Sequence, residues 1–301
     1  MSNSTHESGA GRGAVAAIAA YVMWGLFPLF WKQLERFDAT ELIAHRVVWS
    51  LVIVMGVTTV SGAWKSWAKA LGTPRLAGLH LLSGVCLSVN WLTFVWGVNH
   101  GYILESSLGY YLVPLVNVAC GRLLLGEQLR RAQIIAIVLA AAGVSIQLAS
   151  SARIPWVALL LAVSWASYGL LRKRSPLGSL AGLSIELTLL VPVAAGYLGW
   201  LSLHGQGAAG HITLLERILI PCTGLVTAVP LLLFAYGVRR LRLGTVGFLQ
   251  YIVPTLQFLL GALVYGETMD RSRLVSFGFI WVALAIYSAD NLRLMRSAPR
   301  T

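Results

Sequence analysis

The sequence predicts an all-α membrane protein in which ten transmembrane helices form two inverted five-helix repeats, residues 1–150 and 151–301. Three observations predict it. Only 11% of the 301 residues are charged and 57% are apolar, against roughly 25% charged residues in an ordinary soluble domain. Apolar stretches close to the ~20 residues that cross a bilayer recur along the chain. A segment of the first half also matches one of the second without a gap.

So few charges cannot cover a water-facing surface, so lipid is the natural solvent for most of it. The formal charge of +12 would suggest nucleic-acid binding in a soluble chain. Here Lys and Arg stand in short clusters between apolar stretches, with no nucleic-acid motif beside them, which is the positive-inside pattern. Cys86, Cys120 and Cys222 lie inside apolar segments and are odd in number, so they suggest packing residues and no disulfide framework. Arg12 before an apolar run resembles a secretory signal. The run Gly13–Trp31 holds 19 uncharged residues, longer than a signal core and followed by further spans, so a first membrane helix is expected.

The spans, in order, are 13–34, 41–60, 76–98, 102–125, 132–150, 154–172, 177–201, 215–238, 243–265 and 273–290. The second is interrupted at its start by Glu41, His45 and Arg46. An even number puts both termini on one side. If that side is cytoplasmic, the inner loops and tails carry 15 Lys and Arg, among them Lys65, Lys69, Arg172, Lys173 and Arg239, and the outer loops carry 6. That bias orients both termini inward. The longest outer loop, around His204–His211, is rich in Gly and Ala and reads as a flexible connector.

Residues 108–127, LGYYLVPLVNVACGRLLLGE, align with residues 248–267, FLQYIVPTLQFLLGALVYGE, at an offset of 140, with seven of 20 positions identical. The identities include Tyr111 with Tyr251, Pro114 with Pro254, Gly121 with Gly261, and Gly126-Glu127 with Gly266-Glu267. Near the N-terminus an offset of 141 places Trp24 on Trp165 and Lys32 on Lys173. Five spans per half force the second half to enter the membrane from the opposite side. Inverted repeats are a recurring design of secondary transporters, because two similar halves can exchange conformations around a midplane site. Gene duplication without transport is the competing explanation.

Polar residues within spans belong in a bundle interior or an aqueous cavity. Tyr110, Pro114, Asn117 and Gly121 share one helical face in the fourth span, and Gln250, Pro254, Gln257 and Gly261 form the matching stripe in the ninth. A proline on each stripe frees a backbone carbonyl. The same stripes would also serve as a helix-packing seam of small residues and amides. His45 aligns at offset 141 with Glu186, the acid deep in the seventh span. His45 and Glu186 are candidate proton carriers, and Arg46 suits either a structural bridge or a substrate anion. Bridges from His45 or Arg46 to Glu41, Glu105 or Glu186 are the structural alternative. Asn90 and Trp91 lie mid-span in the third helix. With Trp24, Trp165, Tyr168 and the paired Tyr111 and Tyr251, they complete the candidate substrate cavity, its aromatics suited to stacking on a ring-bearing substrate or to plain packing. Glu127 and Glu267, each after a Gly at a helix end, read as caps or turn anchors.

With these residues placed, the chain resembles the drug/metabolite transporter superfamily, and within it the RarD type of EamA-domain transporters, the chloramphenicol-sensitive proteins. The segments that carry the resemblance are YVMWGLFPLFWK from residue 21, ELIAHRVVWS at 41–50 and NWLTFVWGVNHGYILESSLGYYLVPLVN from Asn90. The resemblance implies ten helices around a central cavity lined mainly by spans one to four and six to nine, with the fifth and tenth outside, in a bacterial inner membrane. It implies no catalytic residue and no defined substrate.

The function expected is a secondary transporter that exports or exchanges small metabolites or amphipathic drugs by alternating access, possible proton coupling included. The alternatives are a membrane-embedded enzyme acting on lipid, for which no HExxH, GxSxG or paired-acid motif is found, and a non-transporting membrane scaffold. No cofactor and no metal is expected. The partners are a small-molecule substrate and the lipid bilayer, without nucleic acid, as a monomer or homodimer.

Overall fold

A computed structural model describes residues 2–100, 103–149, 155–205, 207, 212–264 and 271–297. Among them all regular secondary structure is helical, including a single 3-10 turn at Lys32–Leu34. In chain order the helices are α1 (Ser2–Trp31), α2 (Ala39–Val60), α3 (Trp64–Leu71), α4 (Pro74–Asn99), α5 (Ile103–Leu124), α6 (Arg131–Ala149), α7 (Trp156–Arg174), α8 (Ser179–Leu203), α9 (Leu214–Val238), α10 (Leu243–Gln250), α11 (Ile252–Leu263) and α12 (Arg271–Ser297).

Among the described residues, six stretches are long and apolar enough to cross a membrane: Ala10–Leu34, Ala39–Val60, Pro74–Gly97, Ser179–Leu203, Leu214–Val238 and Leu243–Leu260. Apolar segments also run over Arg131–Ile146 within α6 and Leu274–Asp290 within α12. Helix α7 falls below that apolar level because it ends in Arg172, Lys173 and Arg174. The outer surface is apolar, with Val60, Leu123, Val193, Leu203 and Leu214 all well exposed. A surface of this kind suits lipid.

Local chemistry sets the helix ends. The interrupted start of the second span becomes regular helix because the Asp38 carboxylate caps α2, accepting from the amides of Thr40 at 2.8 Å and Glu41 at 3.2 Å. Helix α9 begins with a capping box: Thr213 Oγ1 accepts from the Glu216 amide, and the Glu216 carboxylate accepts from the Thr213 amide. Arg36 clamps the same carboxylate through two N–H groups.

The expected ninth span is divided. It breaks at Tyr251 into α10 and α11, because the Pro254 ring nitrogen cannot donate to the carbonyl four residues back, at Gln250. Its partner Pro114 sits inside an unbroken α5. Helix α3 lies in the expected inner loop between the second and third spans. Trp64, Trp67, Ala68 and Leu71 recur at 3- and 4-residue steps, with Lys65 and Lys69 on other faces, the pattern of a helix lying at a membrane interface.

Helices α6 and α12 pack on each other and stand apart from the bundle centre. Gly143 permits this: a Cβ there would meet the Ser276 carbonyl oxygen at 2.9 Å, and Ser276 Oγ donates to the Gly143 carbonyl. The central bundle is built from the pairs α1 with α9, α4 with α7, α2 with α8, α2 with α9, α5 with α7, α1 with α11 and α5 with α10. The α5–α10 crossing is close at Gly247, where a Cβ would meet the Pro114 carbonyl oxygen at 2.9 Å and Asn117 Cβ at 3.0 Å.

Basic residues between the helices also bind carbonyls. Lys173 donates to those of Val238 and Leu241, Arg174 to that of Leu124, and Arg239 to those of Leu177 and Pro176. Cations at helix C-termini complement the helix dipole. Glu127 meets the expectation of a cap, but across the bundle: its carboxylate accepts from the amides of Leu243 at 2.7 Å and Gly244 at 3.2 Å, the start of α10. Glu267 and the side chain of Glu105 lie outside the described residues.

Candidate functional site: an aromatic cavity above a buried ionic network

A cavity of about 500 Å³ opens at the end of the bundle where α1 and α4 finish and α2 and α5 begin. Its volume lies in the range of small-molecule sites. Helix α1 contributes Trp24, Phe27, Pro28 and Trp31, and α2 contributes Ile43 and Arg46. Asn90, Trp91 and Phe94 come from α4 and Tyr110 from α5, while Trp165, Thr227, Gln250, Pro254 and Gln257 come from the second half.

An aromatic cluster forms the floor. Trp24 meets Trp165 edge-on with ring centroids 5.1 Å apart, and Phe234 lies 5.7 Å from Trp24, 5.4 Å from Trp165 and 5.9 Å from Tyr168. Edge-on, tilted and stacked pairs of this kind add cohesion beyond their buried area. Tyr21 joins the cluster and donates its hydroxyl to the Val246 carbonyl, tying α1 to α10.

Arg46 is the charged residue in the cavity wall among the described residues. Its Nε donates to Thr227 Oγ1 at 2.9 Å, and its guanidinium carbon lies 4.5 Å from the Trp91 ring centroid and 4.9 Å from that of Trp31. Cation–π contacts and one hydrogen bond thus position it. Trp165 Nε1 donates to Gln250 Oε1 at 3.2 Å, and Asn90 Nδ2 donates to the Leu161 carbonyl and to Ser164 Oγ.

Below the floor, toward the other end of the bundle, a polar network is sealed from solvent. Glu186 Oε1 takes a hydrogen bond from Ser83 Oγ at 2.6 Å and one from Arg172 Nη1 at 3.2 Å, and lies 3.0 Å from His80 Nδ1. Tyr168 donates to Oε2 at 3.4 Å. The side chains of His80, Arg172 and Glu186 are 0% exposed. Arg172 Nη2 donates to the Ser179 carbonyl, and His80 Nε2 pairs with Ser175 Oγ. Such burial is tolerated only because the charges are paired and most of their donors satisfied.

The cavity therefore gathers Trp24, Arg46, Asn90, Trp91, Tyr110, Trp165, Gln250, Pro254 and Gln257. Tyr111, Pro114, Asn117, Tyr168 and Tyr251 lie outside it. Pro114 and Asn117 pack at the α5–α10 crossing, and the Tyr251 hydroxyl donates to the Tyr111 carbonyl within a second apolar core. The two stripes thus have unequal fates, the α10–α11 stripe facing the cavity and most of the α5 stripe facing a helix. His45 sits beside Glu41, Nε2 to Oε1 3.9 Å, and does not join Glu186. The Thr58–Ser184 contact shows that the far end of α2 meets the start of α8, so His45 and Glu186 are at opposite ends. Helix α8 supplies Glu186 to the network and no residue to the cavity wall.

The inner-loop assignment of Arg172 is corrected: it occupies the last turn of α7, fully buried. Being next to Lys173 and Arg174, it was indistinguishable in sequence from a loop cluster. His80, Ser83, Thr227 and Phe234 were not anticipated either. Phe234 was within reach, because the offset of 140 pairs it with Phe94.

An all-helical bundle with a lipid-suited exterior and an internal cavity rich in aromatic residues defines a multi-pass membrane protein built to hold a small molecule. A model of the EamA-like transporter family matches residues 11–148. Over 98% of its length the chain is 42% identical to an uncharacterized transporter of Vibrio cholerae, covering 97% of that protein. It is 40% identical to Protein RarD of Escherichia coli K12, with 95% and 96% of the two chains covered. To the chloramphenicol-sensitive protein RarD of Pseudomonas aeruginosa it is 32% identical, over 96% of this chain and 98% of that one. A solved crystal structure superposes with a TM-score of 0.72 at 18% identity, covering 91% of this chain and 96% of the other, a likeness of fold. The chain belongs to the EamA-like transporter family, among its RarD-type members.

Proposed function

We propose that this protein is a secondary transporter of the bacterial inner membrane, with both termini cytoplasmic, that exports or exchanges small metabolites or amphipathic drugs by alternating access. In this reading ten spans form two inverted repeats, with α10 and α11 together making the ninth span. The observation that carries it is a cavity built by both halves and open at one end, with equivalent residues closed at the other.

Exchanging the halves converts α1 into α7, α2 into α8, α4 into α9, α5 into α10–α11 and α6 into α12. Under that exchange the α1–α9 packing becomes α4–α7, α2–α9 becomes α4–α8, and α5–α7 becomes α1 with α10–α11, all of them contacts of this bundle. Gln257 lines the open cavity while its mate Asn117 is 2% exposed, its Oδ1 without a hydrogen bond among the described residues. A buried unsatisfied amide costs about 1–3 kcal/mol. A second conformation that wets Asn117 would relieve it, as alternating access requires. With the termini inside, the cavity faces outward and the network of Arg172, Glu186 and His80 holds the inner end shut. Glu186 is then a coupling candidate through that network, and His45 a separate one at the outer end.

The test is paired cysteine labelling in a background lacking Cys86, Cys120 and Cys222. A membrane-impermeant maleimide added outside should modify Gln257→Cys, while Asn117→Cys reacts from the inner face. Labelling of both from one face, or failure of proteoliposomes to move any member of a broad metabolite panel, would sink the proposal.

A further inference from the structure

We infer that the cavity selects a small amphipathic anion, a carboxylate, sulfonate or phosphate group on an aromatic or apolar body, with Arg46 receiving the charged group. The inference rests on the transporter reading for its biological sense and on the geometry of Arg46 for its chemistry.

The two interior arginines of this bundle differ in how they are satisfied. Arg172 spends Nη1 on Glu186 and Nη2 on the Ser179 carbonyl, as a structural arginine does. Arg46 spends only Nε, on Thr227, and its Nη1 and Nη2 carry no hydrogen bond among the described residues. No described carboxylate lies within ion-pair distance of Arg46. Placed over the Trp31 and Trp91 rings, the guanidinium keeps its charge and its planar pair of donors while lining an apolar cavity.

A cation so placed is electrostatically unbalanced, because the wall is otherwise aromatic, amide and aliphatic. The free fork matches the two oxygens of a carboxylate or phosphate, a geometry that lysine cannot offer. The remaining wall suits a ring: Trp24, Trp165, Phe94 and Tyr110 surround the space next to Arg46. An amine has no acidic partner in the described wall and would meet Arg46 as a like charge, so cations and zwitterions are disfavoured relative to anions of the same body.

The experiment compares indole-3-acetate, indole-3-acetamide and tryptamine, which share one ring and differ in charge, by isothermal titration of the purified protein in nanodiscs. Wild type should bind the carboxylate about ten- to a hundredfold more tightly than the amide, the range expected for a charged hydrogen bond, and tryptamine least. Arg46→Gln should erase the preference for carboxylate over amide whatever it does to the two affinities themselves, and Arg46→Glu should favour tryptamine. Equal affinities, a preference for the amide, or no binding of indole-3-acetate at millimolar concentration overturns the inference. Should Arg46→Gln fail to fold, the ranking of the three probes by wild type decides alone. Counterflow of labelled indole-3-acetate in proteoliposomes separates the two claims. Tight binding without movement defeats the transporter reading and leaves the anion site standing, whereas movement without charge preference does the reverse.

Discussion

Replacing Arg172 by Met perturbs the sealed network without leaving a void, since Met fills much of the space of the Arg stem. The change removes the Nη1 bond to Glu186 and the Nη2 bond to the Ser179 carbonyl, and strands a carboxylate that is 0% exposed. Removing one partner of a buried ion pair costs about 3–5 kcal/mol. Ser83, His80 and Tyr168 remain beside Glu186, so the low end, about 3 kcal/mol, is expected. Gly182 offers an independent route to the same damage, because a Cβ there would sit 1.8 Å from Arg172 Nη1 and 2.7 Å from His80 Cε1. Gly182→Ala must therefore expel the guanidinium. The assay is equilibrium unfolding in mixed micelles of Arg172→Met, Gly182→Ala, Glu186→Leu and the Arg172→Met/Glu186→Leu pair. The double variant should recover most of the loss, because two apolar side chains need no counter-charge. A single variant within about 1 kcal/mol of wild type, or a double variant as unstable as the worse single, refutes the reasoning.

Three other outcomes follow from the packing. Gly224→Ala places a Cβ 2.4 Å from the Trp49 carbonyl carbon and 2.7 Å from the Ser50 nitrogen, backbone atoms that cannot rotate away. It should destabilise by about 1–3 kcal/mol in the same unfolding assay, whereas Gly196→Ala, with nothing within 4 Å of the added Cβ, should be neutral or stabilising by up to ~1 kcal/mol. Glu127→Ala deprives the Leu243 and Gly244 amides of their acceptor; a loss of about 0.5–2 kcal/mol and faster hydrogen exchange confined to the start of α10 are expected, and unchanged exchange there would count against the cap. Trp165→Phe removes the N–H that reaches Gln250 and should cost about 0.5–1.5 kcal/mol in the same unfolding assay; unchanged stability would count against that bond.

The helical, membrane-suited character was legible because it depends on local properties: apolar length, the step between polar residues, and the sign of flanking charges. The α10–α11 break was partly legible, since Pro254 announces a missing donor, but Pro114 announces the same and α5 runs on unbroken. The sequence match identified equivalent stripes and could not say that they would be used unequally. That depends on which end of the bundle is closed, a property of helices crossing at Gly247 and not of either stripe.

The sequence by itself determined that this chain is a bundle of apolar helices with interior polar residues arranged in two related sets, because burying a polar group in lipid is costly wherever it falls in the chain. Only the tertiary structure decided the roles within those sets. Arg46 and Arg172 are both arginines within two turns of an expected span boundary, yet one lines a cavity with its fork unspent and the other is locked to Glu186. The difference lies in what the neighbouring helices bring to each: an acid on α8 for Arg172, and two indole rings and a threonine for Arg46.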